Sequence, residues 1–397
     1  MPDDPPAPAK SPLREVAALF LRLGFTAFGG PAAHVALMED EVVTRRGWLD
    51  RRRFLDLVAL VNFIPGPNST ELAIHLGLVR AGFRGLVAAG VCFITPAVLI
   101  ILPLAFAYVR YGEMPRLQPI LRGINAGLIA VLAVATYRFA RTSVHDRFTA
   151  TIALLAAAGA FIGHWKNVPQ SELIILALAA AAGASPHLLR RPRASGTLCL
   201  LPPSLLLGPT QPLHWLLSLA LFFLQVGSTL FGSGYVLVSY LHAGLVERRH
   251  WLTEQQLLDA VAVGQVTPGP LLTTATFVGY LVGHRATGSV AWGVVGAVAA
   301  TVAIFLPAFV FVALLGKWLP NLRQFPAARG ALDATNAAVA ALVFVVTATL
   351  AHDVLRGPYP IALAAIAFLA LVSLNLNATW VMLGAAAAGF VRGWWNG

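Results

Sequence analysis

Charge is what this chain has least of. Only 11% of its 397 residues are Asp, Glu, Lys or Arg, against 58% that are hydrophobic. A water-facing surface cannot be tiled from so few charges. Acidic residues are the scarcer kind, 17 against 28 Lys and Arg. The few Asp, Glu and His form neither a metal-ligand cluster nor a nucleophile–base–acid set, which argues against a hydrolase. Two cysteines, Cys92 in an apolar run and Cys199 in a later apolar patch, supply no disulfide framework, metal set or redox pair. A glycine-rich loop ending in Lys-Ser or Lys-Thr is also missing, so neither an intrinsic ATPase nor a bound cofactor is expected. Met1 to Ser11 is Pro-rich and polar, without the apolar stretch of a signal peptide, and residues 1–12 read as a soluble tail.

What the chain does have is apolar runs long enough to cross about 30 Å of hydrocarbon, recurring along its whole length. They lie near 14–38, 54–79, 83–109, 117–138, 148–164 and 171–186, then near 213–241, 255–283, 286–315, 330–350, 358–373 and 376–391. The fold class is therefore an all-α polytopic membrane protein, with the lipid bilayer as its solvent. A net charge of +11 and a pI near 10.5 would suit nucleic acid, but the basic residues sit in short clusters between apolar runs. Arg45, Arg46 and Arg51 to Arg53 form one, Arg138, Arg141 and Arg147 another, and Arg190, Arg191 and Arg193 a third. Such clusters mark cytoplasmic loops facing anionic lipid, and no nucleic-acid partner is expected.

The chain also contains itself twice. Gly24, Thr26, Phe28 and Gly29 reappear 203 positions later as Gly227, Thr229, Phe231 and Gly232. The register holds through Arg45, Arg46, Trp48 and Leu49 (Arg248, Arg249, Trp251, Leu252), Leu55 and Asp56 (Leu258, Asp259), and Pro65-Gly66-Pro67 (Pro268-Gly269-Pro270). The Pro- and Arg-rich residues 185–212 separate a first repeat, 13–184, from a second, 213–397. Two matched breaks in a duplicated membrane domain are the pattern of a secondary transporter, because broken helices free backbone groups that bind solute near the midplane.

Charge bears on orientation. Between Thr44 and Arg53 the first copy carries five arginines, whereas Glu247 to Gln256 carries two, offset by Glu247 and Glu254. That asymmetry places the two loops on opposite sides and makes the repeat inverted. Inversion needs an odd number of crossings between the copies. Pro65 cuts 54–79 into pieces too short to span at about 1.5 Å per residue. If those pieces form a re-entrant hairpin, the count becomes odd; a single interrupted helix would instead give a parallel repeat.

At each break the prolines remove amide hydrogens and disfavour the preceding helix, while glycine admits angles closed to other residues. The first short helix should end near Ile64 and the next begin near Pro67 or Asn68. The new helix exposes unpaired amides at Asn68, Ser69 and Thr70, a cradle for an anion. In the second copy the equivalent donors come from Leu271, Leu272 and Thr273, followed by Thr274. Asn62 and Gln265, three residues before their breaks, suit ligand contact or the bridging of freed carbonyls.

Polar residues inside apolar runs are candidates for function. Arg22 either neutralises an oxyanion through its forked donors or snorkels to the interface. Gly29 and Gly30 either let helices pack closely or form a broken, anion-facing turn, with His34 just beyond as a further proton-path candidate. Glu71 and His75, four residues apart on one helix face, make a candidate proton relay or a pair that satisfies itself. Arg122 and Asn125 recur as Asp333 and Asn336 at an offset of 211. Arg122 and Asp333 would meet near a pseudo-twofold axis as a gate, or mark helix starts.

These residues resemble those of the chromate ion transporter family. Phe28 to Pro31, Arg45-Arg46-Gly47-Trp48-Leu49 and Pro65-Gly66-Pro67 resemble its first-domain pattern. Phe231-Gly232-Ser233-Gly234, Trp251-Leu252 and Thr267-Pro268-Gly269-Pro270 resemble its second. The likeness runs from Leu13 to Gly393 and is that of a two-domain, long-chain member; the proline-glycine-proline motif alone also occurs in smaller amino-acid exporters. The resemblance implies a multi-pass protein of the bacterial inner membrane that moves chromate or a related small inorganic oxyanion, by efflux coupled to the membrane potential or to a proton or other counter-ion. Sulfate or another small anion, uptake included, is the alternative within transport. A membrane enzyme acting on a lipid-linked phosphate is the alternative outside it. A homodimer is compatible with the sequence, which does not fix the oligomeric state.

Overall fold

The computed structural model describes residues 12–62, 64–115, 117–165, 171–188, 214–232, 234–315 and 325–396. The tail 1–11, most of the linker with its arginine cluster, Cys199 and Ser233 lie outside them. Every regular element among the described residues is helical. The first half runs α1 (Pro12–Thr26), α2 (Pro31–Glu39) extended by a π-turn (Asp40–Arg45), α3 (Arg51–Val61), α4 (Asn68–Tyr111), α5 (Gln118–Ser143), α6 (Arg147–Trp165) and α7 (Ser171–Leu188). The second repeats that order as α8 (His214–Thr229), α9 (Val236–Leu241) with a π-turn (His242–Glu247), α10 (Glu254–Val266), a 3₁₀ turn (Leu271–Thr273) leading into α11 (Thr274–Thr287), α12 (Val290–Leu315), α13 (Pro326–Val354), α14 (Pro358–Ser373) and α15 (Ala378–Asn396). Helices α4, α5, α12 and α13 are long and apolar enough to cross a membrane.

Glu15, near the start of α1, fixes how the first half is folded. Its carboxylate accepts from Arg46 Nη1 at 3.1 Å, Trp48 Nε1 at 3.1 Å and Arg80 Nη2 at 2.8 Å. The start of α1, the loop after the π-turn and the end of the first leg of α4 therefore share one end of the bundle. Residues 12–45 fold back on themselves at Ala27–Gly30, and residues 51–80 fold back at the first proline-glycine-proline break. The chain then reverses at Ala81 and Gly82, whose φ of +63° only glycine adopts readily. Gly77 packs directly on the Gly85 carbonyl, so the two legs of α4 lie side by side with no room for a side chain between them.

The second leg of α4 reaches the far end, where Tyr108 meets Asp259 near the start of α10. Arg248 pairs there with Glu172 at 3.3 Å, Trp215 meets Trp292, and Arg285 binds the Trp251 carbonyl. The second-half hairpins thus open at the end opposite the first-half ones, and the repeat is inverted. α5 starts at this far end, where Gln118 binds the Gly112 carbonyl, and runs back, so the arginines near its end share the Arg46 end.

The route to inversion differs from the expected one. The segment near 14–38 is not a crossing but a second re-entrant hairpin, because Gly29 and Gly30 (φ +104° and +81°) reverse the chain. Four helical passes along the bundle follow in each half, an even number. Leu188 and His214 stand at opposite ends of the bundle, and that offset restores the inversion. The halves also interlock: the core of the first-half hairpins, with Phe20, Phe54 and Phe93 fully buried, takes in Ala308 and Val312 of α12.

Candidate functional site

Each break is held by the fold-back of the opposite half. Gly66 N–H donates to the Leu230 carbonyl at 2.7 Å, and Gly269 N–H donates to the Ala27 carbonyl at 3.0 Å. Gly269 is the repeat counterpart of Gly66, and Leu230 that of Ala27, so the bonds are one interaction made twice about a pseudo-twofold axis. Four re-entrant tips meet there. Both glycines carry left-handed φ, +147° and +103°, which prolines on either side impose and a Cβ would oppose. Pro65 and Pro67, like Pro268 and Pro270, serve as the walls of these turns, and helix resumes at Asn68 in the first copy, as its sequence implies, and through a 3₁₀ turn at Leu271 in the second.

A cavity of about 590 Å³ opens from the Arg46 end and descends to the first break. Pro31, Asn62, Asn68, Gly232, Arg329, Asp333 and Asn336 are among its lining residues. Asn68 Nδ2 donates to Asn62 Oδ1 at 2.7 Å, and Asn62 Nδ2 to the Val58 carbonyl. The two asparagines thus bridge the mouth of the break, beside the amide end of α4. Pro67 O accepts from the Thr70 and Glu71 amides, which leaves Asn68 and Ser69 as the outward amides of the first turn.

A second cavity, about 640 Å³, opens at the Arg248 end and is lined by Arg122, Asn125, Gln255, Asp353, Arg356 and Arg392 among others. Asn125 and Asn336 are repeat counterparts, as are Arg122 and Asp333, so the cavities are equivalent positions of an inverted pair. Their surroundings differ. Asn125 and Gln255 of the second cavity's lining both donate to Asp259, 1% exposed, which accepts from Tyr108 Oη at 2.7 Å, Asn125 Nδ2 at 2.9 Å and Gln255 Nε2 at 3.0 Å. That cluster ties α4 and α5 of the first half to α10 of the second. Asn336 lines the first cavity, and its buried Oδ1, like that of Asn125, has no hydrogen-bond partner, but the counterpart of Asp259, Asp56, is exposed rather than buried in a matching cluster. Access to the breaks is open from one end and latched at the other.

Several candidates stand elsewhere than expected. Arg22 does not reach a break: it is ion-paired with Glu41, which Arg45 and Arg46 also hold, and the group ties α1 to the π-turn of the same hairpin. Arg122 and Asp333 do not meet; they line different cavities. Ser69 and Thr70 are buried on the face of α4 turned from the cavity. Thr273 and Thr274 are buried too, and their hydroxyls bond back to the Pro270 and Leu271 carbonyls, a common use of threonine at a helix start. His34 is buried with Nε2 on the Ala27 carbonyl. Glu71 and His75 are both buried one turn apart, without hydrogen-bond partners on their side chains.

Other residues come together across the halves. A Cβ at Gly29 would strike the side chain of Asn377, and Gly30 lies beside the Tyr235 hydroxyl. Tyr235 in turn hydrogen-bonds Gln265, whose Nε2 is buried without a partner. The first-half glycine turn, Gln265, Tyr235 and Asn377 therefore form one polar patch at the centre. Tyr235 and Asn377 escape the repeat comparison because their counterparts are not polar or fall in shifted register; the signal for Asn377 is its place in the short polar gap between two apolar runs.

A family model described as chromate transporter matches residues 14–184 and 217–390, one block in each half. The chromate transport protein of Cupriavidus metallidurans is 33% identical over 388 residues, covering 96% of this chain and 93% of the relative. The probable chromate transport protein of Synechococcus elongatus is 31% identical over 354 residues, 86% of each chain. The chromate transport protein of Pseudomonas aeruginosa is 30% identical over 403 residues, covering 97% of this chain and 93% of the relative. No solved structure matches.

Proposed function

Because the chain belongs to the chromate transporter family, we propose that it is a secondary transporter rather than an enzyme, carrying chromate or a related tetrahedral oxyanion out of the cell through the inner membrane. The observation that carries this reading is the pair of equivalent cavities at opposite ends, of which only one reaches a break. An inverted repeat alternates its access when each half adopts the other's conformation. The oxyanion enters at the Arg46 end and passes Arg329. It is held by the Asn62 and Asn68 side chains, the first amides of α4 and the uncapped amide end of α2 behind Gly30. Breaking the Asp259 cluster then opens the Arg248 end, while Asn336 closes on Asp56, the counterparts of Asn125 and Asp259. Arg122, Arg356 and Arg392 make that exit attractive to an anion.

The direction rests on the arginine clusters at the Arg46 end, which face the cytoplasm by the positive-inside rule. Outward movement of an anion is favoured by an interior-negative potential, and a proton gradient is the other available source of energy. The donors at the break are neutral amides, which suit sulfate as well as chromate, so sulfate transport is the second reading. Purified protein in sealed vesicles should move at least one of chromate, sulfate, molybdate and phosphate, with a rate that an imposed potential or pH gradient changes. Competition among the four ranks them. No flux of any of them in either direction from folded protein of known orientation contradicts the proposal, and turnover of a lipid phosphate by that protein favours the enzyme alternative.

A further inference from the structure

Behind the first break lies a polar cluster that the oxyanion path does not use. Thr70 and Glu71 are 0% exposed and His75 is 3% exposed. Thr70 Oγ1, both carboxylate oxygens of Glu71 and both ring nitrogens of His75 lack hydrogen-bond partners. The Glu71 carboxylate folds back over the break, where a Cβ on Gly66 would collide with Oε1 and would also approach Ala308 of α12. Next to Ala308 in sequence, Pro307 leaves the Ala303 carbonyl without its helical donor. Asn62 and Asn68 line the cavity on the other side of the break.

The fold does not require this cluster. In the second repeat Thr274 and Val278 occupy the positions of Glu71 and His75, and Thr274 is satisfied by the Leu271 carbonyl. Polar and ionisable groups buried without partners are costly and, within a membrane, mark ion sites by default. Among the described residues, no cationic side chain pairs with Glu71. α12 brings no ionisable side chain. On α1, Glu15 and Arg22 are held by Arg46, Arg80 and Glu41. His34 of α2 is on the Ala27 carbonyl, Asp56 of α3 is exposed, Asp259 of α10 is latched, and His284 and Arg285 lie in the last turn of α11.

We infer that Thr70, Glu71 and His75 form the binding site of the coupling cation, a proton or Na⁺, set between the first re-entrant hairpin and α12 and separate from the oxyanion cavity. This rests on the reading of the protein as a gradient-driven transporter. The cation supplies the charge that Glu71 lacks, and its presence only in the first half gives one such site per chain. Because Gly66, which the Glu71 carboxylate covers, faces Ala308 of α12 in the other half, occupancy of the site bears on the same hairpin movement that opens and closes the oxyanion path.

The test uses full-length protein in liposomes and two measurements. Oxyanion exchange is followed with equal pH and Na⁺ on both sides and no potential, then net flux under a pH gradient without Na⁺ and under a Na⁺ gradient at fixed pH. In the wild type one of the two gradients is expected to raise flux by about tenfold. Glu71→Gln, which mimics a neutralised carboxyl, should keep exchange within about twofold while losing that response. Glu71→Gln responding like the wild type, or a wild type that exchanges oxyanion but answers neither gradient, overturns the inference while leaving the transport reading intact. Absence of exchange in the wild type rejects the transport reading instead, and the inference with it. Should Glu71→Gln not fold, infrared difference spectra decide. Changing pH or Na⁺ in the wild type must perturb a buried carboxyl signal that Glu71→Asp displaces, and absence of that signal overturns the site.

Discussion

Gly66 gives its backbone amide to the carbonyl of Leu230, 2.7 Å away in the other half of the chain. With the matching bond from Gly269 to Ala27, it means that neither glycine amide is free for a ligand. The breaks are cross-braced first and anion-binding second, and the ligand donors are displaced one turn into α4.

Replacing either glycine tests that brace. Gly66→Ala and Gly269→Ala place a Cβ at left-handed φ against Glu71 and Ala97 respectively, and strain of this kind costs about 1–3 kcal/mol before any clash. Both variants should lower the thermal unfolding midpoint in detergent. Gly47→Ala, also at positive φ but with open space around it, should lower it less. Equal shifts at all three positions would remove the special role of the breaks.

Asp259 is expected to behave as a latch. Leucine there leaves Tyr108, Asn125 and Gln255 with unmet donors, each at about 1–3 kcal/mol, and weakens the closed Arg248 end relative to the open one. A cysteine at Asn62, in a background without Cys92 and Cys199, should then react several times more slowly with a thiol reagent applied from the Arg46 side. An unchanged rate would show that the cluster stabilises the protein without setting its conformation.

The two sets of polar groups at the breaks should separate in function. Asn68→Leu removes a side chain from the cavity and should weaken oxyanion binding by about tenfold, near the value of one charge-assisted hydrogen bond. Thr273→Ala, which removes a hydroxyl bonded only to its own helix turn, should change binding by less than about twofold. Arg22→Gln should lower stability through loss of its Glu41 pair while binding is kept. Titration calorimetry with sulfate or molybdate reads all three.

Glu15 carries a pH dependence of stability. Burial pushes its carboxyl up, but hydrogen bonds from Arg80, Trp48 and Arg46 outweigh burial and hold it below its ordinary value of 4.5. A carboxyl lowered in the folded state stabilises it above the unfolded value, and that contribution is lost as pH falls through the folded one. The unfolding midpoint should therefore drop as pH is taken below about 4.5, and Glu15→Gln should lower the neutral-pH midpoint and flatten the acid limb. An unaltered acid limb in that variant would assign the loss to other groups.

Much of this architecture is written in the chain because repetition and proline are visible without three-dimensional knowledge. The offset of 203, the breaks at Pro65 and Pro268, the restart of helix at Asn68 and the opposed placement of the two arginine-bearing loops all carry over. The fold-back at Gly29-Gly30 is less legible, since a glycine pair serves close helix packing equally well and only the positive φ separates the two. The fate of Arg22 depends on Glu41, nineteen residues on and brought close by that fold-back. Thr273 and Thr274 resemble anion donors by type, but a threonine hydroxyl beside a bare carbonyl turns to it. Tyr235 and Asn377 belong to the site through contacts between halves, which no local pattern announces.

The most direct test of alternating access through the paired breaks is the reactivity of a single cysteine at Asn68, measured from each side of vesicles of known orientation. Molybdate and sulfate, which do not oxidise thiols, stand in for chromate. The cysteine should be reactive from the Arg46 side at rest, be protected by one of these oxyanions, and become reactive from the Arg248 side when an outward gradient drives turnover. Reactivity from one side only under every condition, or indifference to both oxyanions, would contradict a path that runs through the breaks.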